Sequence, residues 1–238
     1  MAIDQYLLEQ HRHDKHPSSL RFYTWQPAAI SLGYHQKDYP PDWKELTFES
    51  QPLDIVRRPT GGRAVLHQGD LTYAVITSIP PGKRLVVYKQ ICEFLISGWR
   101  SLGVNLDYGN ATREYIQHHN CFATATGSDL VTSTGNKVIG SAQLRRGKSV
   151  LQHGSMVLNT KPELYEQVFK TPLVENLDEL VSNQKKQSIS DGDNEFRAKI
   201  IQNLITTARA TFKIDIVSQP LSNDEWQYIA RHFSLLRY

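Results

Sequence analysis

One long amphipathic segment, set in a chain otherwise rich in short strand-like runs, constrains the fold more than any other feature of the sequence. Its apolar residues recur at spacings of three and four, the period of a helix with one buried face. Gly103 follows directly, where a glycine usually ends a helix. We therefore predict a helix over Leu85–Leu102 that packs on a sheet. Its buried face would consist of Leu85, Tyr88, Ile91, Cys92, Leu95, Ile96, Trp99 and Leu102.

Strands dominate the first two thirds of the chain and long helices are set among them, which predicts one α+β domain over residues 1–238 with a mixed sheet covered by helices. The predicted strands are Leu20–Trp25, Ala28–Leu32, Asp54–Arg58, Ala64–His67, Leu71–Ser78, Asp129–Thr132, Lys137–Arg145, Ser149–Leu158 and Lys213–Val217. The other predicted helical segments are Met1–Gln10, Pro40–Leu46, Pro162–Phe169, Glu195–Phe212 and a last helix opened by a capping box at Ser222–Glu225, with Trp226, Ile229 and Phe233 facing inward. The polar stretch Asn183–Asn194 is predicted to be a mobile surface loop.

The composition is that of a folded protein and narrows the functional classes. Hydrophobic residues make up 39% and charged residues 21%, which argues against a disordered chain. The formal net charge is +3 without a long run of Lys or Arg, so nucleic acid is not required, whereas an acidic protein partner would suit. Two cysteines provide neither a disulfide framework nor a zinc quartet. The polar start and the lack of an apolar run near the ~20 residues of a membrane helix predict a cytoplasmic protein without a membrane partner.

The segment Arg57–His67 contains the first chemically informative pattern. Gly61 and Gly62 follow a Pro-Thr pair, and their missing Cβ atoms allow the backbone to approach a ligand closely. Their amides can point at a carbonyl or phosphate oxygen, and the three arginines of the segment would attract an anionic substrate or carrier. The same residues are also typical of an ordinary tight turn with solvated arginines, so the glycines alone do not distinguish a ligand-binding turn from an ordinary one.

A second pattern begins at Lys137, the first residue of a predicted strand. Gly140, Ser141 and Ala142 are small residues within that strand, which indicates that another group, such as an acyl chain, lies against it. The lysine could stabilise a carbonyl oxygen on which negative charge develops, although a solvated turn lysine is more common. His153, beside a glycine on the next strand, could be a ligand group or a general base; a hydrogen-bonded structural histidine is the more usual role.

The two cysteines have contrasting surroundings in the sequence. Cys121 follows two histidines and an asparagine, and neighbouring cationic groups lower the pKa of a thiol and favour its use as a nucleophile. A thioester intermediate on it would split acyl transfer between two carriers into two easier steps. A buried, inert thiol is an equally good interpretation of this residue alone. Cys92 lies on the buried face of the long helix and is interpreted as a small hydrophobic residue.

Taken in order, these segments resemble the biotin/lipoyl protein ligase and lipoyl transferase family over most of the chain. Met1–Asp4 is similar to the family's first helix and Trp25–Gln36 to its early strand pair. Arg57–His67 resembles the Arg-Arg-x-x-Gly-Gly-x-Ala-Val-x-His signature, Lys137–Gln143 the Lys-x-x-Gly-Ser-Ala strand, and Gln152–Ser155 its paired strand. The resemblance implies a single catalytic domain with the α+β fold of class II aminoacyl-tRNA synthetases and biotin synthetases.

The resemblance also implies where the site would lie. An acyl tunnel would run between the turn Pro59–Gly62, called the glycine turn below, and the strand Lys137–Gln143, called the lysine strand. Lys137 would contact the acyl carbonyl. The substrate-binding residues implied in this way are Arg58, Gly61, Gly62, Arg63, Ala64, His67, Gly140, Ser141, Ala142, His153 and Gly154.

Two chemistries share the scaffold of this family. Its lipoate–protein ligases adenylate free lipoate with ATP and magnesium before passing it to a lysine, whereas its octanoyltransferases use a cysteine thioester and no ATP. Cys121-Phe122 followed by Asp129 resembles the octanoyltransferase branch. We therefore expect octanoyl transfer from acyl carrier protein to a lysine of a lipoyl-domain or glycine cleavage H-type carrier protein, with Cys121 and Lys137 as catalytic residues and without cofactor, metal or nucleic acid. The alternatives are an ATP-dependent lipoate–protein ligase and a non-catalytic acyl-binding module of the same fold.

Overall fold

The computed structural model describes residues 1–79, 82–109, 126–185 and 193–233. Its strands are β1 (Ser19–Tyr23), β2 (Ala29–Leu32), β3 (Thr47–Phe48), β4 (Gln51–Pro52), β5 (Asp54–Arg57), β6 (Val65–His67), β7 (Asp70–Ser78), β8 (Asp107–Tyr108), β9 (Leu130–Val131), β10 (Lys137–Arg146) and β11 (Ser149–Val157). The helices are α1 (Ala2–Arg12), α2 (Arg84–Ser101), α3 (Pro162–Phe169), α4 (Leu177–Lys185), α5 (Asp193–Phe212) and α6 (Asn223–His232), with a short 3-10 helix at Pro41–Glu45. No helix in these ranges is long and apolar enough to cross a membrane.

The strands form two main sheets and one small hairpin. The large sheet has the order β1-β7-β11-β10-β9-β8, and its neighbouring strands pair antiparallel. The small sheet has the order β5-β2-β6; β2 runs parallel to β5 and antiparallel to β6. The predicted α+β fold with a mixed sheet is confirmed, and the parallel pairing lies in the small sheet.

Helices cover both faces of the large sheet, because successive side chains of a strand point to opposite faces. On β7, Tyr73 and Val75 face the core shared with α2, α4 and α5, whereas Ala74 and Ile76 face the core shared with α1 and α6. The small sheet has a core of its own, against α3 and the 3-10 helix. There the indole of Trp43 donates a 2.9 Å hydrogen bond to the carbonyl oxygen of Val168.

Helix α2 confirms the predicted long helix, with bounds one residue earlier at each end. Its buried residues include every predicted position from Tyr88 to Trp99, Cys92 among them. Leu85 is the exception: its side chain is 48% exposed, because the first turn of α2 extends beyond the edge of the core. Gly103 follows the helix with φ +92°, as the sequence predicts.

Two segments of the C-terminal part differ from the sequence prediction. Lys213–Val217 is not a strand: extended backbone needs a partner strand to hydrogen bond, and Val217 is instead 83% exposed. Helix α4 was not predicted, and together with the start of α5 it occupies part of the expected loop Asn183–Asn194; residues 186–192 of that loop lie outside the described residues.

Helix α6 confirms the predicted capping box. The hydroxyl of Ser222 accepts from the backbone N–H of Glu225, and the carboxylate of Glu225 accepts from the backbone N–H of Ser222. Ile229 is buried and Phe233 is partly buried against the same core. Trp226, predicted to face inward, is 51% exposed, because the short helix buries only the stripe that meets α1.

Candidate active site

A cavity lies at the junction of the two main sheets, between the turn after β5 and the strands β10 and β11. It contains about 810 Å³ of space between atoms, the solvent at its open mouth included. Arg63 and Ala64 do not line it, and Ala64 packs in the core of the small sheet. The remaining predicted residues that the structure describes all line it: Arg58, Gly61, Gly62, His67, Lys137, Gly140, Ser141, Ala142, His153 and Gly154.

Short side chains in the middle of β10 and β11 form one wall of the cavity. Ser141 pairs with Gly154, which on its other side lies opposite Tyr73 of β7. A Cβ on Gly154 would come within 2.6 Å of the Tyr73 ring and of the carbonyl oxygen of Gly140, so this position has room only for glycine. The small residues at this level leave the space that the cavity occupies.

Lys137 lies at the start of β10 and forms an ion pair inside the cavity. Its Nζ is 3.0 Å from Oδ2 of Asp129, and the two side chains are only 2% and 4% exposed. The same carboxylate oxygen accepts hydrogen bonds from the backbone N–H of Thr126 at 2.7 Å and from its hydroxyl at 2.8 Å. The lysine is therefore a buried group with a fixed partner, not a solvated turn residue. A charge held in this way can stabilise negative charge that develops on a substrate oxygen.

The glycine turn is held by Arg58 from within. This buried guanidinium donates to the carbonyl oxygens of Ser31 at 2.7 Å, Gly61 at 3.0 Å and Arg63 at 2.6 Å. Arg57 likewise donates to the carbonyl oxygen of Gly33 at 2.9 Å. Both arginines bind backbone carbonyls and fix the shape of the turn, and Arg58 also lines the cavity.

Gly33 is packed against the glycine turn so closely that a side chain would collide with it. A Cβ on Gly33 would lie 1.8 Å from the carbonyl oxygen of Gly62, whereas a Cβ on Gly61 would have nothing within 4 Å. We expect Gly33→Ala to destabilise the fold by at least about 2 kcal/mol, which lowers Tm by about 4–8 °C. Gly61→Ala is the matched control and should change Tm by no more than about 2 °C. Thermal unfolding followed by circular dichroism measures both; equal Tm values would contradict the close packing.

A chain of buried polar side chains runs from the small sheet to the large one. Nδ1 of His67 donates to Oδ2 of Asp70 at 2.8 Å, and Nε2 lies 2.8 Å from the hydroxyl of Ser31. Asp70 Oδ2 also accepts from Ser155 at 2.7 Å, and the ring of Trp25 stacks on the imidazole at 4.1 Å. The order Ser-His-Asp is that of a nucleophilic triad, but Ser31 is 0% exposed. Its hydroxyl is already bound by the imidazole of His67 and the guanidinium of Arg58, and we interpret these groups as a structural link between the two sheets.

His153 also joins the two sheets. Its Nε2 lies 2.6 Å from the hydroxyl of Thr60 in the glycine turn, and its Nδ1 is 3.7 Å from the buried carboxylate of Asp4 in α1. Burial lowers the pKa of His153 from its ordinary value of 6.5, although Asp4 opposes the shift. The residue is therefore neutral in the folded protein near pH 7 and acts as a hydrogen-bonded structural histidine that also lines the cavity.

The lowered pKa of His153 predicts a loss of stability in acid. Below pH 6.5 the unfolded state takes up a proton on this residue that the folded state does not. The free energy of unfolding therefore decreases as the pH is lowered, by at most about 1.4 kcal/mol per pH unit from this group. His153→Gln cannot titrate and should lose less Tm between pH 7 and pH 5 than the wild type. Parallel slopes for the two proteins would show that His153 titrates alike in both states.

Cys92 belongs to a buried polar network behind the cavity wall that β10 and β11 form. Nε2 of Gln152 lies 3.2 Å from its sulfur and 3.1 Å from the hydroxyl of Tyr73, which in turn lies 2.8 Å from the hydroxyl of Ser141. Burial raises the pKa of the Cys92 thiol to about 12. The interpretation of Cys92 as inert is supported, with hydrogen bonds that the sequence did not reveal.

Other cavity residues were not identified as site residues from the sequence. Asp129 is the most important: the sequence analysis used it only in the resemblance to the octanoyltransferase branch, and its position shortly before the strand that Lys137 begins was the available signal. Arg84 and Tyr88 come from the first turns of α2, where nothing in the local pattern distinguishes them from ordinary helix residues. Cys121, the predicted nucleophile, lies outside the described residues. Within the described residues, no three His, Cys, Asp or Glu side chains are grouped to hold a metal ion.

Solved structures share this architecture. A lipoate–protein ligase A bound with ATP superposes with a TM-score of 0.75 at 21% identity, covering 98% of this chain and 87% of that one. A putative lipoate protein ligase from Thermoplasma acidophilum with bound lipoic acid gives 0.70 at 20% identity, covering 97% and 88%. At these identities the likeness establishes the fold alone.

Sequence comparison is more specific. Octanoyltransferase LipM of Carboxydothermus hydrogenoformans is 34% identical, with 94% of this chain and 86% of that protein covered. Octanoyltransferase LipM of Bacillus subtilis is 32% identical, with 100% and 90% covered. The family model described as the lipoyl protein ligase A/B catalytic domain matches residues 1–222. The chain therefore belongs to the lipoyl protein ligase A/B catalytic domain family.

Proposed function

We propose that this chain is an octanoyltransferase that moves an octanoyl group from acyl carrier protein, through a cysteine thioester, to a lysine of a lipoyl-carrier protein. The observation that carries the proposal is its similarity to octanoyltransferases of several organisms at 31–38% identity, over most of the chain in the fuller alignments. The ion pair of Lys137 inside the cavity supports the same reaction.

In the first step, the thiolate of Cys121 attacks the carbonyl carbon of the acyl-carrier thioester. The carbonyl oxygen becomes an oxyanion that the ammonium of Lys137 stabilises; the carbon–sulfur bond to the carrier then breaks, and the carrier leaves as a thiolate that takes up a proton. Cys121 precedes Thr126 by five residues, and five extended residues span at most about 18 Å. Because Thr126 lines the cavity, the chain is long enough for the sulfur to approach Lys137.

In the second step, the uncharged amine of the target lysine attacks the acyl-enzyme carbonyl. An amide bond forms, the amine loses a proton, and Cys121 leaves as a thiolate ready for another cycle. Lys137 stabilises the second oxyanion from the same position. Both steps start from a thioester that is already activated, so this route consumes no ATP and uses no cofactor.

The partners follow from these two steps. The acyl donor is octanoyl acyl carrier protein, and the acceptor is a lipoyl-domain or glycine cleavage H-type protein. The acyl chain would lie along the short side chains of Gly140, Ser141 and Ala142, and the glycine turn would cover its other side. The turn's backbone is held rigidly by Arg58, which favours a preformed site over one that assembles around the substrate.

Mass spectrometry of the protein after incubation with octanoyl acyl carrier protein tests the proposal. We expect a mass gain of one octanoyl group on the proteolytic fragment containing Cys121, and loss of this label when a lipoyl-domain protein is added. A parallel incubation with free lipoate and ATP measures pyrophosphate release. Release without acyl-enzyme would indicate a lipoate–protein ligase, and ligand binding without carrier modification would indicate a non-catalytic acyl-binding module; either result overturns the proposal.

A further inference from the structure

The geometry points to Asp129 as the residue that positions Lys137 for oxyanion stabilisation, an inference that rests on the proposed acyl transfer. Asp129 Oδ2 lies 3.0 Å from Nζ of Lys137. The carboxylate binds the ammonium of Lys137 directly, so we assign it the role of a positioning residue that acts through Lys137.

The carboxylate that holds Lys137 is itself fixed. Its Oδ2 accepts from the backbone N–H and the hydroxyl of Thr126, and the backbone N–H of Asp129 donates to the carbonyl oxygen of Thr126 at 3.0 Å. Hydrogen bonds to an ionised acceptor are the stronger kind. A free lysine side chain samples many rotamers, whereas one bound to an anchored carboxylate keeps its ammonium in one place.

The backbone brings the two residues together from both sides. Asp129 directly precedes β9, and Lys137 opens β10, which pairs with β9 through Lys137–Val131 and Ile139–Leu130. The register shifts between these two pairs, and such irregularities re-aim a side chain at the edge of a site. The turn of Thr126 and the shifted strand therefore fix the carboxylate and the ammonium relative to each other before any substrate binds.

We expect Asp129→Asn to lower kcat for octanoyl transfer about 10–100-fold, because an oxyanion donor displaced by a fraction of an ångström loses most of its effect. KM for the carrier should stay within about three-fold, since the proposed role of Asp129 is exerted through Lys137 in the transition state and not through carrier binding. Asp129→Glu retains the charge and should recover part of kcat. A purely structural ion pair would instead lower Tm and leave kcat of the folded fraction unchanged.

Glu175→Gln is the matched control. Glu175 also uses a carboxylate to bind the β9–β10 region, accepting from the hydroxyl of Thr132 at 2.9 Å and from the side-chain amide of Asn136, but it does not line the cavity. Its kcat should equal that of the wild type. Equal kcat for Asp129→Asn and the wild type, or equal losses in Asp129→Asn and Glu175→Gln, would overturn the inference.

A milder variant keeps the test decisive if Asp129→Asn does not fold. Thr126→Val removes the hydroxyl that binds both the carboxylate and Ser128 and retains the ion pair; we expect kcat to fall about three-fold, and an unchanged kcat would refute the inference. If the wild type transfers no octanoyl group but ligates lipoate with ATP, the proposed donor is wrong. The same variants compared in that reaction then test whether Asp129 positions Lys137.

Discussion

Cys121→Ser abolishes octanoyl transfer in the reaction proposed for this chain, by at least about 10³-fold, without a loss of folded structure. The exchange replaces one atom, so the size of the side chain is nearly retained. A serine hydroxyl, however, is not ionised near neutral pH, whereas a thiol gives a reactive thiolate. Intact-protein mass spectrometry should show no acyl-enzyme in the variant, and circular dichroism should show a Tm within about 2 °C of the wild type.

Cys92 provides the control within the same chain. Its thiol is buried, with a pKa raised to about 12, so it cannot supply a thiolate under assay conditions. Cys92→Ser should transfer octanoate within about three-fold of the wild type, since a hydroxyl can keep the hydrogen bond to Gln152. A Cys121→Ala protein with full activity would refute the covalent route and favour ligation with ATP.

Lys137→Met has the second largest expected effect and changes both activity and stability. Loss of the ammonium removes the oxyanion donor and should lower kcat about 10²–10³-fold. It also leaves the carboxylate of Asp129 buried without its charge partner, which costs about 3 kcal/mol and lowers Tm by about 6–12 °C. The two effects have separate causes and can be measured separately.

The double variant Lys137→Met/Asp129→Asn separates them. Neutralising the carboxylate removes the uncompensated charge, so most of the lost Tm should return, whereas kcat should stay as low as in Lys137→Met. If the double variant regained activity, the ammonium would not be the oxyanion donor. If its Tm stayed low, the ion pair would not be what stabilises this part of the cavity.

Local pattern was sufficient to predict most of the fold. Helix α2 and strands β7, β10 and β11 were predicted within one or two residues, because their apolar periodicity directly reflects which face is buried. Lys213–Val217 failed since its alternation resembles a strand, but a strand also needs a neighbour, and that information is not local. Helix α4 was missed because it is polar and short, and its burial depends on contacts with the large sheet.

The site was predicted as a set of motifs but not as a network. The glycine turn and the lysine strand were identified by resemblance, and the structure brings them to one cavity. The partners of their side chains were not foreseen: Lys137 meets Asp129 across an irregular strand pair, and His67 meets Ser31 of the neighbouring strand β2, which is distant only in sequence. The hydrogen bonds of the Arg58 guanidinium to carbonyl oxygens were also not foreseen, because a sequence does not reveal which backbone groups a side chain meets.

The cavity lies between two sheets that have separate hydrophobic cores and are joined by the hydrogen bonds Thr60–His153 and His67–Asp70. An acyl chain bound there would contact both sheets and add apolar contacts between them. Acylation would thus be expected to raise Tm, since a group that is bound only in the folded state stabilises that state. Transfer to the acceptor would remove these contacts, so the folded state would be more stable before transfer than after it in each catalytic cycle.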